Sequence, residues 1–315
     1  MRNALLVVAA TALLVQATAA GPEAAGQALD TIADLEQLIA SDPDDHEART
    51  RLAALYLVID RLDEAVRHLQ TALGLEPEYA PAHYNLGYAL ALGGRRNEAI
   101  AAYERAVAIR PDYTAARSNL GAMLQTQGRL PEAAEQFRLT LESDPDNASV
   151  HFNFGLVLQM QGNNAGAVEQ YRLALEIAPN DAVTRSSLAQ VLASQNNWED
   201  AVAEYLLALE TMPDLLSAVV NLAWLRATAP VNSVRDATQA VALAERAAGL
   251  TERRNFIVMD TLGAAYAAAG RFDAAIAAAN AAIALAQAED AEAAAEQIRT
   301  RATLYLTYHP YRMSR

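Results

Sequence analysis

The chain of 315 residues contains no cysteine and no lysine; all 24 of its basic side chains are arginine. Without cysteine there is no disulfide, no thiolate metal site and no cysteine nucleophile. Without lysine there is no phosphate-loop lysine, no Schiff-base amine and no lysine of a kinase strand. Positive charge is scarce as well. Against those arginines stand 38 acidic residues, for a net charge of −14, whereas nucleic-acid binding calls for clustered basic residues. Aromatic residues make up 6% of the chain, so the apolar packing rests on alanine and leucine.

The amino terminus reads as an export signal. Arg2 supplies a short positive start, Ala4–Val15 an apolar core, and Ala17-Thr18-Ala19 a small-x-small cleavage site, which makes 1–20 a signal peptide. The core is shorter than the roughly 20 residues a membrane span requires. With no cysteine after it, a lipid-modified amino terminus is not available. The expectation is an exported, periplasmic bacterial protein. An uncleaved segment, anchoring the chain to the inner membrane, is the alternative, and membrane contact is expected only in that case.

What fills the rest is a period. Pro43, Pro77, Pro111, Pro145, Pro179 and Pro213 lie 34 residues apart. Between them one pattern recurs, in 79–113 as Leu86-Gly87, Leu90, Gly94, Ala99, Tyr103, Ala106 and Pro111. A fixed 34-residue period signifies stacked helical hairpins, each too small to bury its apolar face alone. The pattern resembles the tetratricopeptide repeat family over nearly everything after the first two dozen residues. The resemblance implies an all-α solenoid, a right-handed superhelix of helix-turn-helix repeats.

Residues 21–45 divide into a small-residue linker, Gly21–Gly26, and a half-repeat helix, Ala28–Ser41, that caps the stack. Five full repeats follow at 46–79, 80–113, 114–147, 148–181 and 182–215. In each, a small residue of the first helix (Ala53, Gly87, Gly121, Gly155, Ala189) permits close approach, and a larger one would overpack it. Asp60, Gly94, Gly128, Gly162 and Asn196 suit the left-handed turn that ends a helix. The second helix pairs an alanine (Ala65, Ala99, Ala133, Ala167, Ala201) with a bulky residue four positions on (Leu69, Tyr103, Phe137, Tyr171, Tyr205). The proline cannot continue the helix and closes the unit. A sixth repeat, 216–255, is irregular: Arg226 replaces an apolar residue, Pro230 breaks the helix, and five residues are inserted around 229–235. A seventh, 256–287, restores the pattern before a carboxy-terminal capping helix and tail at 288–315.

In the family, the first helix of each hairpin lines the concave side. The resemblance therefore places Arg51, Asn85, Asn119, Asn153, Ser187, Asn221 and Thr261 in the groove. Four asparagines at one register are similar to the asparagine ladder of the O-GlcNAc transferase repeat superhelix, which holds extended polypeptide. An amide both donates and accepts, so it can pair with any peptide backbone. The ladder can equally be a means of solvating the groove. Tyr84, Tyr88, Phe152, Leu156, Gln125, Gln159, Gln190 and Trp224 are neighbouring groove candidates. Aromatic anchors among uncharged polar groups suit protein contact, although Trp224 also reads as half-buried core. Groove-lining basic residues reduce to Arg51, which argues against a clamp for acidic carboxyl-terminal tails.

His83 and His151 share a register two repeats apart, and His46, His68 and His309 are scattered. Packed helices stand about 8–10 Å apart while metal ligands sit about 2 Å from the ion, so no metal site is expected. The acidic runs Asp42–Glu47 and Asp144–Asn147 read as helix-start chemistry, without the ligand spacing of a calcium loop. Asn147-Ala148-Ser149 would be glycosylated only in a eukaryotic secretory pathway. No cofactor and no catalytic residue is expected. The reading is a non-catalytic scaffold that binds protein or peptide in its groove, within an envelope complex. A polysaccharide-handling scaffold is the alternative, and a glycosyltransferase lacks the strand–helix alternation its sugar-nucleotide domain would need.

Overall fold

The computed structural model describes residues 22–314, with side chains from residue 31. The export segment expected at 1–20 lies outside the described residues. Among the described residues there are sixteen α-helices and no strand. In chain order they are α1 (Pro22–Ser41), α2 (His46–Val58), α3 (Leu62–Leu75), α4 (Ala80–Leu92), α5 (Arg96–Ile109), α6 (Thr114–Thr126), α7 (Leu130–Ser143) and α8 (Ala148–Met160). Then come α9 (Asn164–Ile177), α10 (Ala182–Ser194), α11 (Trp198–Thr211), α12 (Leu216–Thr228), α13 (Ala237–Leu250), α14 (Phe256–Ala268), α15 (Phe272–Ala288) and α16 (Glu292–Leu306).

Two compact units divide between Gln161 and Gly162. In the first, α1 packs on α2 and each helix on the next through α8; α2 also touches α4, and α6 touches α8. In the second, α9 to α16 pack in the same sequential way, with α10 against α12 and α12 against α14. Contacts between helices two apart are what stacking of successive hairpins requires. The fold class is an all-α repeat solenoid.

The turn chemistry explains the period. Asp60, Gly94, Gly128, Gly162 and Asn196 all adopt positive φ, between 60° and 80°. Gly94 and Gly128 do so without the steric penalty a side chain would add. Several helix starts are capped by side chains: Asp45 accepts from Ala48 N at 2.7 Å and Asn147 from Val150 N at 3.1 Å. The alanine-and-bulky pairs of the second helices are fully buried, including Ala99, Tyr103, Ala133, Phe137, Ala201 and Tyr205. Thr140, where other repeats have alanine, is buried too, because its hydroxyl donates to Gln136 O at 2.8 Å.

Two boundaries differ from the sequence reading. The segment expected as a linker is helical from Pro22, since Glu23, Ala24, Ala25 and Gln27 favour helix and Pro22 suits a first helical position. At the other end α15 runs through Ala288, and the last helix starts at Glu292 rather than at 288. The insertion at 229–236 is helix-free, and the irregular Arg226 holds it. Its Nε donates to Gln239 Oε1 at 2.5 Å and its Nη1 to Val234 O at 2.9 Å.

Candidate functional site

In the first unit the ladder register is built around the buried residues of the second helices. Tyr103, on α5, faces Gly87 of its own hairpin; a Cβ at Gly87 would stand 2.7 Å from the Tyr103 ring. On its other side Asn119, from α6, donates through Nδ2 to the Tyr103 hydroxyl at 3.5 Å. Tyr84 packs beside this pair, with its ring 6.0 Å from that of Tyr103 and 5.0 Å from that of Tyr113. The Arg110 guanidinium caps Tyr113, 3.5 Å from the ring centre. Burial pushes the Tyr103 hydroxyl far above the ordinary phenol range and raises that of Tyr84 too, with Asn119 opposing the shift in both. These hydroxyls therefore stay neutral and serve as hydrogen-bonding groups.

Asn85 and Asn153 occupy the same register on α4 and α8, above Leu69 and Phe137 in place of a tyrosine. Lacking a hydroxyl sixteen residues earlier, neither has a side-chain hydrogen bond among the described residues. Both are half-buried. A half-buried amide with unused donors and acceptor is prepared for a partner in a way that Asn119 is not. Tyr88, Phe152 and Gln159 are half-buried beside them and Arg51 is exposed. Gln125, read from sequence as groove-lining, is buried, and its amide donates towards Met160 Sδ at 3.7 Å.

In the second unit Asn221 stands in the same relation to Tyr205: burial pushes that hydroxyl's pKa well up, and the Asn221 amide opposes the shift. Ser187 and Thr261, the two positions of this register in the second unit without an amide, donate to carbonyls of their own helices, Val183 O and Ile257 O. Gln190, Asn221 and Trp224 come together around a hollow of about 300 Å³, with Trp198, Tyr205 and Leu225 as its apolar wall and Met313 of the tail at its edge. The chain reaches it by folding back after α16. Met313 N donates to Thr228 O at 2.9 Å and Arg312 Nη1 to Ala227 O at 2.8 Å. The Tyr311 ring lies 5.9 Å from that of Trp224. Arg301 covers both rings at 5.5 and 5.7 Å, and the Asp260 carboxylate grips it through two bonds of 3.1 and 2.6 Å.

The histidines have a role that the metal test did not anticipate. His83 Nε2 donates to Pro77 O and His151 Nε2 to Pro145 O, each at 2.9 Å. Arg49, Arg117 and Arg185 make the same bond to Pro43 O, Pro111 O and Pro179 O. Five repeats thus staple the carbonyl of the preceding unit's closing proline with a guanidinium or imidazole six residues later. The sequence signal was present, as alternating arginine and histidine at one register. Among the described residues, no group of three or more histidine or acidic side chains could hold a metal ion, and no helix is long and apolar enough to cross a membrane.

Family models described as tetratricopeptide repeat match residues 23–71 and 115–182, and one described as TPR repeat matches 60–94 and 87–128. Together they span 23–182, half of the chain. No curated protein matches it in sequence. Among solved structures it is similar to YrrB, described as a TPR protein with an unusual peptide-binding site, at 22% identity and a TM-score of 0.55, over 59% of this chain and 95% of that one. It is also similar to the carboxy-terminal part of a TPR repeat-containing protein from Cytophaga hutchinsonii, at 18% identity and a TM-score of 0.59, over 75% and 95% of the two chains. A third is pilF of Pseudomonas aeruginosa, at 21% identity and a TM-score of 0.51, over 70% and 88%. At these identities the likeness carries the fold. With the 34-residue period, the left-handed turns and the sequential hairpins, the models place this chain in the tetratricopeptide repeat family.

Proposed function

We propose that the chain is a non-catalytic scaffold that holds extended polypeptide along its row of first helices. Asn85 and Asn153 act as backbone-reading amides, and Tyr88 and Phe152 as apolar contacts beside them. The observation that carries this reading is that, among the described residues, these two half-buried amides make no side-chain hydrogen bond and have no tyrosine sixteen residues earlier, as Asn119 and Asn221 have. Groups of this kind gain most from a ligand that supplies both a donor and an acceptor, as a peptide bond does. The peptide-binding site described for YrrB is in keeping with it.

The setting we propose is a bacterial envelope complex, reached by export of the chain into the periplasm and removal of residues 1–20. Mass spectrometry of the mature amino terminus tests the export step; retention of Met1 would instead support a membrane-anchored form. The binding step is tested by peptide and glycan arrays probed with the wild-type chain and with Asn85→Ala/Asn153→Ala. Peptide signals that fall at least about tenfold, the size of one lost hydrogen-bonding group or more, support the reading. Equal peptide binding by both chains removes the ladder from it, and glycan binding without peptide binding replaces it with a polysaccharide-handling scaffold.

A further inference from the structure

We propose that the hollow beside Trp224 is a second docking site, for an extended segment bearing an aromatic–basic–apolar run, and that Tyr311-Arg312-Met313 occupies it until a partner segment displaces it. The inference deepens the peptide-binding reading and rests on it. Residues 309–314 have no regular secondary structure, yet each of the three makes a defined contact with α12. Tyr311 lies by Trp224, Arg312 bonds Ala227 O, and Met313 N bonds Thr228 O.

The chemistry of those contacts is general. Ala227 O and Thr228 O are among the carbonyls a helix leaves unpaired at its end, and Ala229 with Pro230 prevents any continuation. A backbone N–H from any extended chain can satisfy Thr228 O as Met313 does. The aromatic subsite is preformed, since Asp260 locks the Arg301 guanidinium over Trp224. The tail uses this site incompletely. Beside Met313 about 300 Å³ stays open, walled by Trp198, Tyr205 and Leu225 and rimmed by Gln190 and Asn221. A partner segment with a larger apolar residue at the Met313 position would fill that space and meet both amides. The tail's advantage is its tether, equivalent to a local concentration on the order of millimolar for a short connection.

The test uses the chain's own sequence as probe. A synthetic peptide of residues 308–315 is titrated into the full chain and into a chain ending at Pro310, with tryptophan fluorescence and calorimetry as readouts. Saturable binding to the shortened chain, at least about tenfold weaker binding to the full chain, and loss of binding when Trp224→Ala is added to the shortened chain are expected. No saturable binding to the shortened chain, or equal affinity for both, overturns the proposal. Tyr311→Ser/Met313→Ser in the full-length chain frees the tail without shortening it, and should bind the peptide like the shortened chain. If both altered chains lose cooperative unfolding, the tail is part of the fold rather than a displaceable occupant, and the proposal falls. A tail-exchanged dimer of the full chain in sedimentation overturns occupancy within one chain. Because the probe is the tail itself, these results are read independently of the Asn85/Asn153 arrays.

Discussion

Asn119 and Tyr103 meet across a repeat boundary, amide nitrogen to phenol oxygen, at 3.5 Å. The same sixteen-residue step joins Asn221 to Tyr205, whereas the step back from Asn85 leads to Leu69 and from Asn153 to Phe137. One register thus carries two kinds of asparagine, one tied into the stack and one open.

Stability measurements separate them. Asn119→Ala is expected to cost about 0.5–1.5 kcal/mol, as for a hydrogen bond whose partner stays buried, and most of that cost should vanish in a Tyr103→Phe background. Asn85→Ala should stay within about 0.5 kcal/mol of wild type. Urea midpoints decide the matter, and equal losses for the two would dissolve the distinction.

The proline staples predict an exchange. His83→Ala should lower stability by about 1 kcal/mol by leaving Pro77 O without its donor. His83→Arg should restore it, because Arg49 and Arg117 in the adjacent repeats and Arg185 three repeats on already make this bond. Failure of arginine to restore what alanine loses would show that the imidazole ring's packing, and not its N–H, is what counts.

Close packing is tested at Gly121, where a Cβ would stand 2.8 Å from Phe137 Cε1. Gly121→Leu should cost roughly 1–3 kcal/mol by overpacking, and Phe137→Leu added to it should recover part. An unchanged denaturation midpoint would refute the claim that the two helices touch here.

The Asp260–Arg301 pair is nearly buried, with side chains 11% and 15% exposed. Arg301→Ala should be severe, about 3–5 kcal/mol, because it strands a carboxylate that burial already pushes towards protonation. Asp260→Asn/Arg301→Gln should be much milder. A double variant as unstable as Arg301→Ala would mean that packing over Trp224 outweighs charge.

Acid should weaken the first unit through His68. Burial, then the nearby Arg49 and Arg67, hold its pKa below the usual imidazole range, against a smaller pull from Glu36 and Glu64; its Nδ1 is buried without a partner. Unfolded, the ring takes up a proton near about pH 6.5. The folded chain binds fewer protons just below that, so its stability falls as pH drops through the window. His68→Gln should flatten the slope of urea midpoints between about pH 7 and pH 5.5, and an unchanged slope would assign it elsewhere.

The repeat itself was plain in the primary structure because each device is local. The prolines, the residues at positive φ from Asp60 to Asn196, and the alanine-and-bulky pairs all lie within one 34-residue window. The site was legible in part. The register of Asn85, Asn119, Asn153 and Asn221 follows from the period, but which amides are open depends on the residue sixteen positions earlier. Gln125 lies in a groove-like register yet is buried. Arg226 looked like a fault and proved to hold an insertion that no other repeat has. The meeting of Trp224 with Tyr311 was beyond any local pattern, since the tail returns across α13 to α16 in sequence and carries no periodic signal.

That return of the tail bears on how partners would be fished for. A bulky purification handle joined to the end of the tail, close after Met313, would tend to pry Tyr311 away from Trp224. Prey recovered by a handle on that end, and by one placed ahead of residue 22, would come from two different populations of the same molecule, and the difference between the two catches would itself report what the tail keeps out.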